Sequence, residues 1–276
     1  MLGCFRALLL IGMKGIVIIT TDSAPKREFA NRLYEESGRR VDLVVVQRAP
    51  KKPFASRVLG FVNKVGSLGL PRELFFLTLW FCFPNIRKAN GWIGERSENS
   101  QYAHECAPRT LAVESVNTEK VYNAIVKLSP QLIVIWGGMI VDERTLKIAP
   151  QTINMHFGWC PYYRGTNGNY HAILNNDLEH LGITVHYAVS KVDAGGILGV
   201  VSGDSKKPIP EFFRDLNDRG EAAYRSIALR LFHGEHIQSS EQDISMGKNY
   251  RLKDWTYEKR YRLGKILLAK VQNPTF

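Results

Sequence analysis

The chain has 276 residues, of which 45% are hydrophobic and 23% are charged, and its formal net charge is +11. This composition excludes a disordered chain and supplies enough apolar material for one large core. Its four cysteines, Cys4, Cys82, Cys106 and Cys160, lack the paired spacing of a disulfide framework or a zinc site, which favours a reducing, cytoplasmic compartment. The charge suits an anionic partner (nucleic acid, a phosphorylated metabolite or a membrane surface) or a solvated basic surface, and does not by itself decide between them.

Two apolar stretches are candidates for membrane segments. Residues 7–20 (ALLLIGMKGIVIIT) have the position of a signal peptide's core, but Lys14 interrupts the run and no small-residue cleavage site follows. We therefore expect GIVIIT to be a first buried strand, and both Met1 and Met13 stay open as the native start. The stretch at 74–83 (LFFLTLWFCF) has about half of the roughly 20 residues that a spanning helix needs. We expect a buried helix there, with a helix lying on a membrane as the alternative.

Short runs rich in Ile and Val alternate along the chain with stretches of helical periodicity. Strands are predicted at 15–20, 42–46, 131–136, 152–156, 182–189 and 196–201. Helices are predicted at 25–38, 54–66, 71–83, 118–128, 168–176 and 210–233. Several strands are apolar throughout, as in a parallel sheet covered on both faces. The alternation predicts an α/β fold, an open, mostly parallel Rossmann-like sheet with flanking helices.

The domain organisation follows from shifts in composition. We predict a catalytic domain over residues 13–236, with 51–110 as a variable insertion or lid, and a short basic C-terminal extension over 237–276. Within the insertion, 84–110 is polar and irregular and predicts a loop. The extension interleaves aromatic and basic residues, a pattern that can bind phosphates and stack bases. The same pattern is more often a helix on the body with its charges in water.

The segment INMHFGWCPYYRG (residues 153–165) places Asn154 and His156 on alternate positions. Alternation is the strand period, so both side chains point the same way, at the carboxyl end of a strand, where open α/β sheets bind ligands. Asp193, in a short loop after the next predicted strand, is expected at the same edge. The three together predict acyl transfer without a covalent nucleophile: the imidazole relays a proton, the amide steadies a developing oxyanion, and the carboxylate orients or charges the imidazole.

Each of these side chains also has a structural interpretation. Alone, His156 would more often be a hydrogen-bonded structural histidine, Asn154 a turn residue and Asp193 a cap of the turn that follows it. For His186, in the middle of a predicted strand, the structural role is favoured. Cys160 lies in the loop after His156 and is predicted to pack rather than to react.

Residues 136–198 resemble the folate-dependent formyltransferase family. They contain an Asn-x-His, a Pro-x-Tyr-Arg-Gly loop, a Gly-Ile-Thr-Val-His strand and an Asp-x-Gly in the order of that family, and the resemblance extends over roughly 120–205. It implies Asn154, His156 and Asp193 as the catalytic set. It also implies 10-formyltetrahydrofolate as the formyl donor, an amine as the acceptor and no metal.

The resemblance further implies binding residues on both sides of the catalytic set. The pterin is expected against the backbone of Met139, Ile140, Val141, Lys191, Val192 and Asp193. The groups expected at the acceptor, which could stack on and hydrogen-bond to a sugar, are Tyr162, Tyr163, Arg164, Asn167 and Asn169. The family's loop after the catalytic His is usually rich in Ser and Pro with two leucines, whereas here it reads Phe157-Gly158-Trp159-Cys160, so the bulky Trp159 is expected to reshape the acceptor pocket.

The acceptor is narrowed by elimination among relatives. The enzyme that formylates glycinamide ribonucleotide has a Gly-rich phosphate loop after its first strand, whereas residues 20–33 (TTDSAPKREFANRL) contain no glycine. The initiator-tRNA formyltransferases have a C-terminal barrel, for which the predicted extension is too short. A formyltetrahydrofolate hydrolase would have an N-terminal regulatory domain, and here the predicted sheet begins at once. A nucleotide-linked amino sugar remains as the expected acceptor, as in polysaccharide biosynthesis.

Alternatives to this assignment stay open. They are formylation of methionyl-tRNA or of glycinamide ribonucleotide, and a non-catalytic basic binding protein on the same fold. The expected partners are small molecules, folate and a nucleotide sugar, rather than nucleic acid. A homodimer and a peripheral membrane contact are further alternatives that the sequence leaves undecided.

Overall fold

The protein is described by a computed structural model that covers residues 14–48, 50, 53–97, 101–102 and 104–272. The strands are β1 (Ile16–Thr21), β2 (Val41–Gln47), β3 (Thr110–Val113), β4 (Leu132–Trp136), β5 (Gln151–His156), β6 (Tyr163–Gly165), β7 (Gly182–Tyr187), β8 (Ile197–Ser202) and β9 (Lys248–Tyr250). The helices are α1 (Ala24–Glu36), α2 (Phe54–Val65), α3 (Leu70–Cys82), α4 (Pro84–Gly91), α5 (Glu119–Leu128), α6 (Glu143–Leu146), α7 (Gly168–Leu174), α8 (Glu211–Phe232) and α9 (Tyr257–Gln272). Residues 1–13, which include Met13 and the start of the apolar stretch at 7–20, lie outside the described residues.

The described strands form a seven-stranded sheet in the order β3-β2-β1-β4-β5-β7-β8 and a separate pair of β6 with β9. Neighbours from β3 to β5 are parallel, whereas β7 pairs antiparallel with both β5 and β8. The predicted open, mostly parallel α/β sheet is therefore confirmed.

The central strands are apolar throughout because helices cover both faces of the sheet. In β1, Ile16 and Ile18 face the core shared with α1 and α8, and Val17 and Ile19 face the core shared with α5. All four are at most 1% exposed. Successive residues of β1 therefore contribute in turn to the two cores, which lie on opposite faces of the sheet.

The strand order reverses between β1 and β4, which leaves a crevice at their carboxyl ends. From β1 the chain moves outward to β2 and β3, and from β4 it moves the other way to β5. The segments that follow β1 and β4 therefore separate at this edge. This is the edge at which the sequence analysis expects Asn154 and His156.

The loop predicted at 84–110 is wrong at its start, because residues 84–91 form α4. Ile86, Ala89 and Asn90 are buried at helical spacing, and the side-chain amide of Asn90 donates to the carbonyl of Arg260 in α9 at 3.0 Å. The helix depends on this contact with α9. The contact joins residues distant in sequence, so the polar segment alone does not indicate it. The C-terminal extension thus packs as a helix on the insertion.

The apolar segment at 74–83 is helical, as predicted, but the expected burial is wrong. It forms most of α3 and leaves Phe75 and Phe81 60% and 64% exposed. In the described part of the chain, no helix combines the length and the apolar character needed to cross a membrane.

A substitution of Tyr224 in α8 tests how β4 and β5 are held together. Its buried hydroxyl lies 2.7 Å from the carbonyl of Ile135 and 3.0 Å from that of Ile153, so it bonds the ends of β4 and β5. We expect Tyr224→Phe to lower the free energy of unfolding by about 1–2 kcal/mol, because two buried carbonyls lose a donor. Urea denaturation measures this. The control is Tyr122→Phe on α5, where the ring lies under the guanidinium of Arg144. We expect its free energy of unfolding to change by less than about 0.5 kcal/mol. Equal losses in the two variants would contradict the assignment.

Candidate active site

A cavity of about 910 Å³ occupies the crevice at the carboxyl ends of β1, β4 and β5. Its walls come from the segments after those strands, from the loop between β7 and β8, and from residues 249–252 before α9. The volume is at the upper end of the roughly 300–1,000 Å³ usual for small-molecule sites. The cavity has room for two substrates side by side.

The structure brings Asn154, His156 and Asp193 together on one wall of this cavity. The strand period of β5 points Asn154 and His156 to the same face. The Asn154 amide nitrogen donates to Asp193 Oδ1 at 3.2 Å, and His156 Nδ1 lies 3.3 Å from Asp193 Oδ2. The carboxylate thus connects the amide to the imidazole.

Asp193 also has two further partners. The backbone N–H of Gly165 donates to its Oδ2 at 2.8 Å, and His186 Nε2 lies 3.3 Å from its Oδ1. Burial opposes ionisation of Asp193, but His156, His186 and the Gly165 N–H outweigh it and hold the pKa of this carboxyl well below its usual range. Asp193 is therefore a carboxylate at every physiological pH.

Both ring nitrogens of His156 face acceptors. Nε2 lies 2.6 Å from the carbonyl oxygen of Tyr163, and Nδ1 faces the Asp193 carboxylate. Each contact is a hydrogen bond only when the nitrogen concerned carries a proton, since the carbonyl and the carboxylate can only accept. Nε2 must exchange the Tyr163 carbonyl for a ligand before it can act. Gly158 is required here, because a Cβ at that position would overlap Nε2.

His186 is the main residue of the site whose role the sequence analysis placed elsewhere. It is 2% exposed, pairs in register with Asn154 across β5 and β7, and lines the cavity. Its Nδ1 lies 2.8 Å from the carbonyl of Tyr187, and its Nε2 lies 3.2 Å from the Asn154 amide nitrogen. The antiparallel pairing puts it beside Asn154, and the Gly-Ile-Thr-Val-His motif that ends in His186 is the sequence signal that could have found it.

The loop after β4 presents apolar side chains on a fixed backbone. Met139 and Ile140 are 48% and 67% exposed and line the cavity. The Met139 N–H donates to the side-chain oxygen of Gln47, and the carbonyl of Ile140 accepts from the side-chain amide of Asn117, each at 2.8 Å. An exposed apolar loop with its backbone already bonded can receive a flat ligand without first being ordered.

The other residues expected at the pterin divide between the cavity and the surface. Val141 lines the cavity beside Ile140, and Val192 and Asp193 line it from the loop between β7 and β8. Lys191 is exposed and is absent from the described lining.

Of the residues expected at the acceptor, Asn167 and Asn169 line the cavity. Asn169 is 2% exposed, and its side-chain oxygen accepts the N–H of Gly182 at 3.0 Å. Its amide nitrogen is the part that a ligand could use.

The described lining does not include the other residues expected at the acceptor, Tyr162, Tyr163 and Arg164, and their role toward an acceptor stays a prediction. Tyr163 and Arg164 belong to β6 and are 5% and 6% exposed, because β9 pairs with this strand. The Tyr163 hydroxyl donates to Asp177 at 2.8 Å, and the ring of Tyr162 lies 3.9 Å from that of His180. These side chains hold the loop that carries Gly165 to Asp193.

Trp159 packs against the start of β7, and its expected effect on the acceptor pocket stays a prediction. Its ring lies edge-on to that of His180 at 5.7 Å and packs against Gly182, and it is absent from the described cavity lining. Cys160 is 1% exposed, and burial raises the pKa of its thiol, so its predicted packing role is confirmed.

Two cations enter the cavity that the sequence analysis did not single out. The guanidinium of Arg96 lies 5.1 Å from the ring of Trp136 and 5.2 Å from that of Phe157, and it pairs with Glu221. Burial lowers the pKa of Arg96 to about 10, which leaves it charged at neutral pH. Burial and the Arg96 charge also lower the pKa of Lys26, at the start of α1. Neither Lys26 nor Arg96 belongs to a sequence motif, so their common position in the cavity is visible only in the folded structure.

The C-terminal extension supplies part of the wall. Tyr250, Arg251 and Leu252 line the cavity beside Tyr170. The ring of Tyr250 stacks on that of His171 at 3.9 Å, and β9 pairs with β6. The extension is therefore joined to the site. Within the described residues, no group of three or more His, Cys, Asp or Glu side chains is arranged to hold a metal ion.

The comparisons with known proteins point to one family. Residues 80–205 match the family described as formyl transferase. A methionyl-tRNA formyltransferase of Bacillus thuringiensis (strain Al Hakam) is 31% identical over 146 residues, which cover 49% of this chain and 46% of that protein. The chain thus spans about half the length of this curated relative.

Two solved structures share the fold. A sugar N-formyltransferase from Shewanella sp FDAARGOS_354 aligns with a TM-score of 0.55 at 15% identity, covering 91% of this chain and 87% of that one. A phosphoribosylglycinamide formyltransferase from Anaplasma phagocytophilum aligns with a TM-score of 0.52 at 14% identity, covering 80% and 88%. At these identities the likeness establishes the fold, and the named substrates differ among the three relatives.

The depressed pKa of Asp193 predicts a pH-dependent contribution to stability. A carboxyl whose pKa is lower in the folded state stabilises the protein above its unfolded pKa, near 4, and loses that contribution as the pH falls toward the folded value. We expect Asp193→Asn to be less stable than the wild type at pH 7, with the difference shrinking as the pH falls from about 5 to 2. Denaturant titrations at several pH values measure it. A difference that stays constant over this range would contradict the assignment.

Proposed function

We propose that the chain is a folate-dependent formyltransferase, an enzyme that transfers the formyl group of 10-formyltetrahydrofolate to an amine, with a nucleotide-linked amino sugar as the acceptor. The observation that carries the proposal is the convergence of Asn154, His156 and Asp193 on one cavity wall, beside the fixed apolar loop of Met139 and Ile140. The described cysteines are free, which favours action in a reducing cytoplasm.

The loop fits the flat ring system of a reduced folate. Gly137 and Gly138 have φ values of 68° and 107°, and a Cβ at Gly138 would lie 3.0 Å from the Gln47 side-chain oxygen. These glycines let the backbone turn toward the cavity, so that the exposed side chains of Met139 and Ile140 can cover an apolar face. Val192 closes the opposite side. When bound, 10-formyltetrahydrofolate supplies an activated formyl carbonyl, which the amine attacks at carbon while N10 departs with a proton.

The chain's own residues are suited to the charges that this transfer creates. The amide N–H of Asn154 can be donated to an oxygen that becomes negative. The imidazolium of His156 offers an Nε2–H for the same oxygen, and its proton can be returned from the attacking amine directly or through water. The Asp193 carboxylate holds the ring by Nδ1 and stabilises its positive charge. Apart from the release of His156 Nε2 from the Tyr163 carbonyl, these groups stay in place, so little reorganisation opposes the reaction.

The acceptor assignment rests on the other half of the cavity. Lys26 and Arg96 are partly buried cations that could bind a diphosphate, and Tyr170 and Tyr250 offer aromatic faces for a base or a sugar. A diphosphate attached to an amino sugar and a base has this combination of charge and apolar surface. The acceptor's amine must reach Asn154 and His156, which lie on the same cavity wall.

Methionyl-tRNA and glycinamide ribonucleotide are the alternative acceptors. The 31% identity to a methionyl-tRNA formyltransferase favours the first, as does the chain's charge of +11. The described residues after α8 instead return to the catalytic domain through β9 and α9 and line the cavity. This placement favours a small acceptor. A non-catalytic binding protein would not need the charged network around Asp193.

The catalytic trio gives the first test of the proposed reaction. We expect Asn154→Ala to lower kcat by about 10²–10³, the usual loss of one oxyanion donor, with little change in folate affinity. His156→Ala should cost at least as much, because the ring is also the proton relay. Steady-state kinetics gives the rates, and calorimetry with 5-formyltetrahydrofolate, an unreactive stand-in, gives the affinity. Asn123→Ala, an exposed asparagine on α5 that is absent from the described cavity lining, serves as control. Near-wild-type rates in both trio variants would place the chemistry elsewhere.

The acceptor site is tested by Lys26→Met. We expect it to raise the KM for a nucleotide-linked amino sugar about 10-fold or more with the KM for the donor unchanged, because one charged hydrogen bond to phosphate is lost. Lys147→Met on the exposed α6 side is the control and should change neither constant. If charged initiator tRNA is formylated faster than every amino-sugar nucleotide tried, the acceptor assignment is wrong and the formyl-transfer assignment stands.

A further inference from the structure

Most of the exposed large apolar side chains in the described residues lie in one region, on α2, α3 and their connections. We call this the α2–α3 face, and its members are Phe54, Val58, Leu59, Leu68, Leu74, Phe75, Phe81 and Phe83. Leu68, in the turn between the helices, is 98% exposed, and Phe54 is 78% exposed. A concentration of this kind on a soluble protein marks an interaction site.

The inner sides of the same helices are already packed. Phe61 of α2 and Trp80 of α3 place their rings 6.0 and 6.5 Å from that of Tyr257, and Phe76 lies 5.8 Å from Tyr261. The helix α3 is therefore apolar on the side that meets α9 and apolar again on the side that meets water. Helices that are apolar all round are ordinarily buried on all sides.

The segment of the chain that carries the face is strongly basic. Between residues 51 and 91 the sequence contains seven Lys and Arg and one acid, Glu73. Glu73 is buried and accepts the N–H of Tyr257 at 2.8 Å, so it offers no charge to a partner. Arg72 is 67% exposed while it pairs with Glu258, and the Arg87 guanidinium lies 5.7 Å from the Phe81 ring. Cations border the apolar side chains.

We propose that the α2–α3 face docks on the surface of an anionic phospholipid membrane. The apolar side chains would enter the boundary between headgroups and acyl chains, while Lys and Arg extend to the phosphates. A second copy of the chain fits less well, because a two-fold interface would set this basic face against itself, and the adjacent acid Glu258 is already paired with Arg72. The helices rest on α9, so docking needs no unfolding.

The cavity lies close to this face along the chain. Ile93, Gly94 and Arg96 follow α4 directly and line the cavity. Docking would hold the site at the membrane surface, where an acceptor or product attached to lipid would be concentrated.

The test is vesicle sedimentation of the full chain with phosphatidylcholine alone and with phosphatidylcholine containing phosphatidylglycerol. We expect binding to the anionic vesicles at least about 10-fold stronger than to the neutral ones, and weakening with salt. The double variant Phe75→Ser, Phe81→Ser should lose about 10-fold or more in binding. The double variant Val126→Ser, Met246→Ser removes exposed apolar side chains outside the face and should bind as the wild type does. Arg87→Gln with Lys88→Gln should weaken binding to the anionic vesicles only.

Melting curves establish that each variant is folded, and light scattering establishes its oligomeric state. Equal binding by the two double serine variants would overturn the proposal, as would no binding to either vesicle. A dimer that Phe75→Ser, Phe81→Ser converts to a monomer, without vesicle binding by the wild type, would identify a second copy as the occupant and overturn it. The proposal would also be overturned if a chain that lacks residues 1–13 no longer bound the vesicles while the Phe75→Ser, Phe81→Ser variant still bound them. None of these outcomes depends on the rate of formyl transfer in solution, so the membrane proposal and the proposed function can fail separately.

Discussion

The carboxylate of Asp193 is the group on which the arrangement of the site depends. It is largely buried and ionised, and its oxygens meet the Asn154 amide, the Gly165 N–H and the imidazoles of His156 and His186. A buried charge is tolerated only when it is surrounded by donors, so each of these groups is fixed by the need to satisfy it. The same bonds that stabilise the ion aim an amide and an imidazole into the cavity.

Several distant parts of the chain serve this one constraint. Gly165 reaches Asp193 because β6 is held by β9, so the C-terminal extension contributes to catalytic geometry as well as to the cavity wall. A side chain at Gly165 would overlap the carbonyl of Tyr250, which shows how closely the two strands approach. On the opposite wall, Gln47 and Asn117 fix the loop of Met139 and Ile140 by bonds to its backbone. The site is thus largely preorganised, and the movement required is the release of His156 Nε2 from the Tyr163 carbonyl.

The sequence predicted the features that depend on local spacing. Alternation in a single strand placed Asn154 and His156 on one face, and apolar runs of strand length located the central sheet. It did not supply the features that depend on distant pairing. His186 enters the site through antiparallel register with β5, Tyr163 and Arg164 are buried beside β9, and α4 is helical because α9 covers it. Arg96 lies within the insertion, and nothing in its sequence neighbours indicates that its guanidinium lies beside Trp136 at the end of β4. Motifs therefore located the three side chains that meet on one cavity wall, whereas the rest of the pocket required the fold.

The central claim is that Asp193 and His156 act as one unit on one transition state. The most direct measurement is a double-mutant cycle for the formyl-transfer rate with His156→Ala, Asp193→Asn and the two combined. The account predicts that the combined variant loses about as much as the more damaging single change, because removing either residue already disables the unit. Losses that simply multiply would mean that the two residues act independently, and would contradict the account.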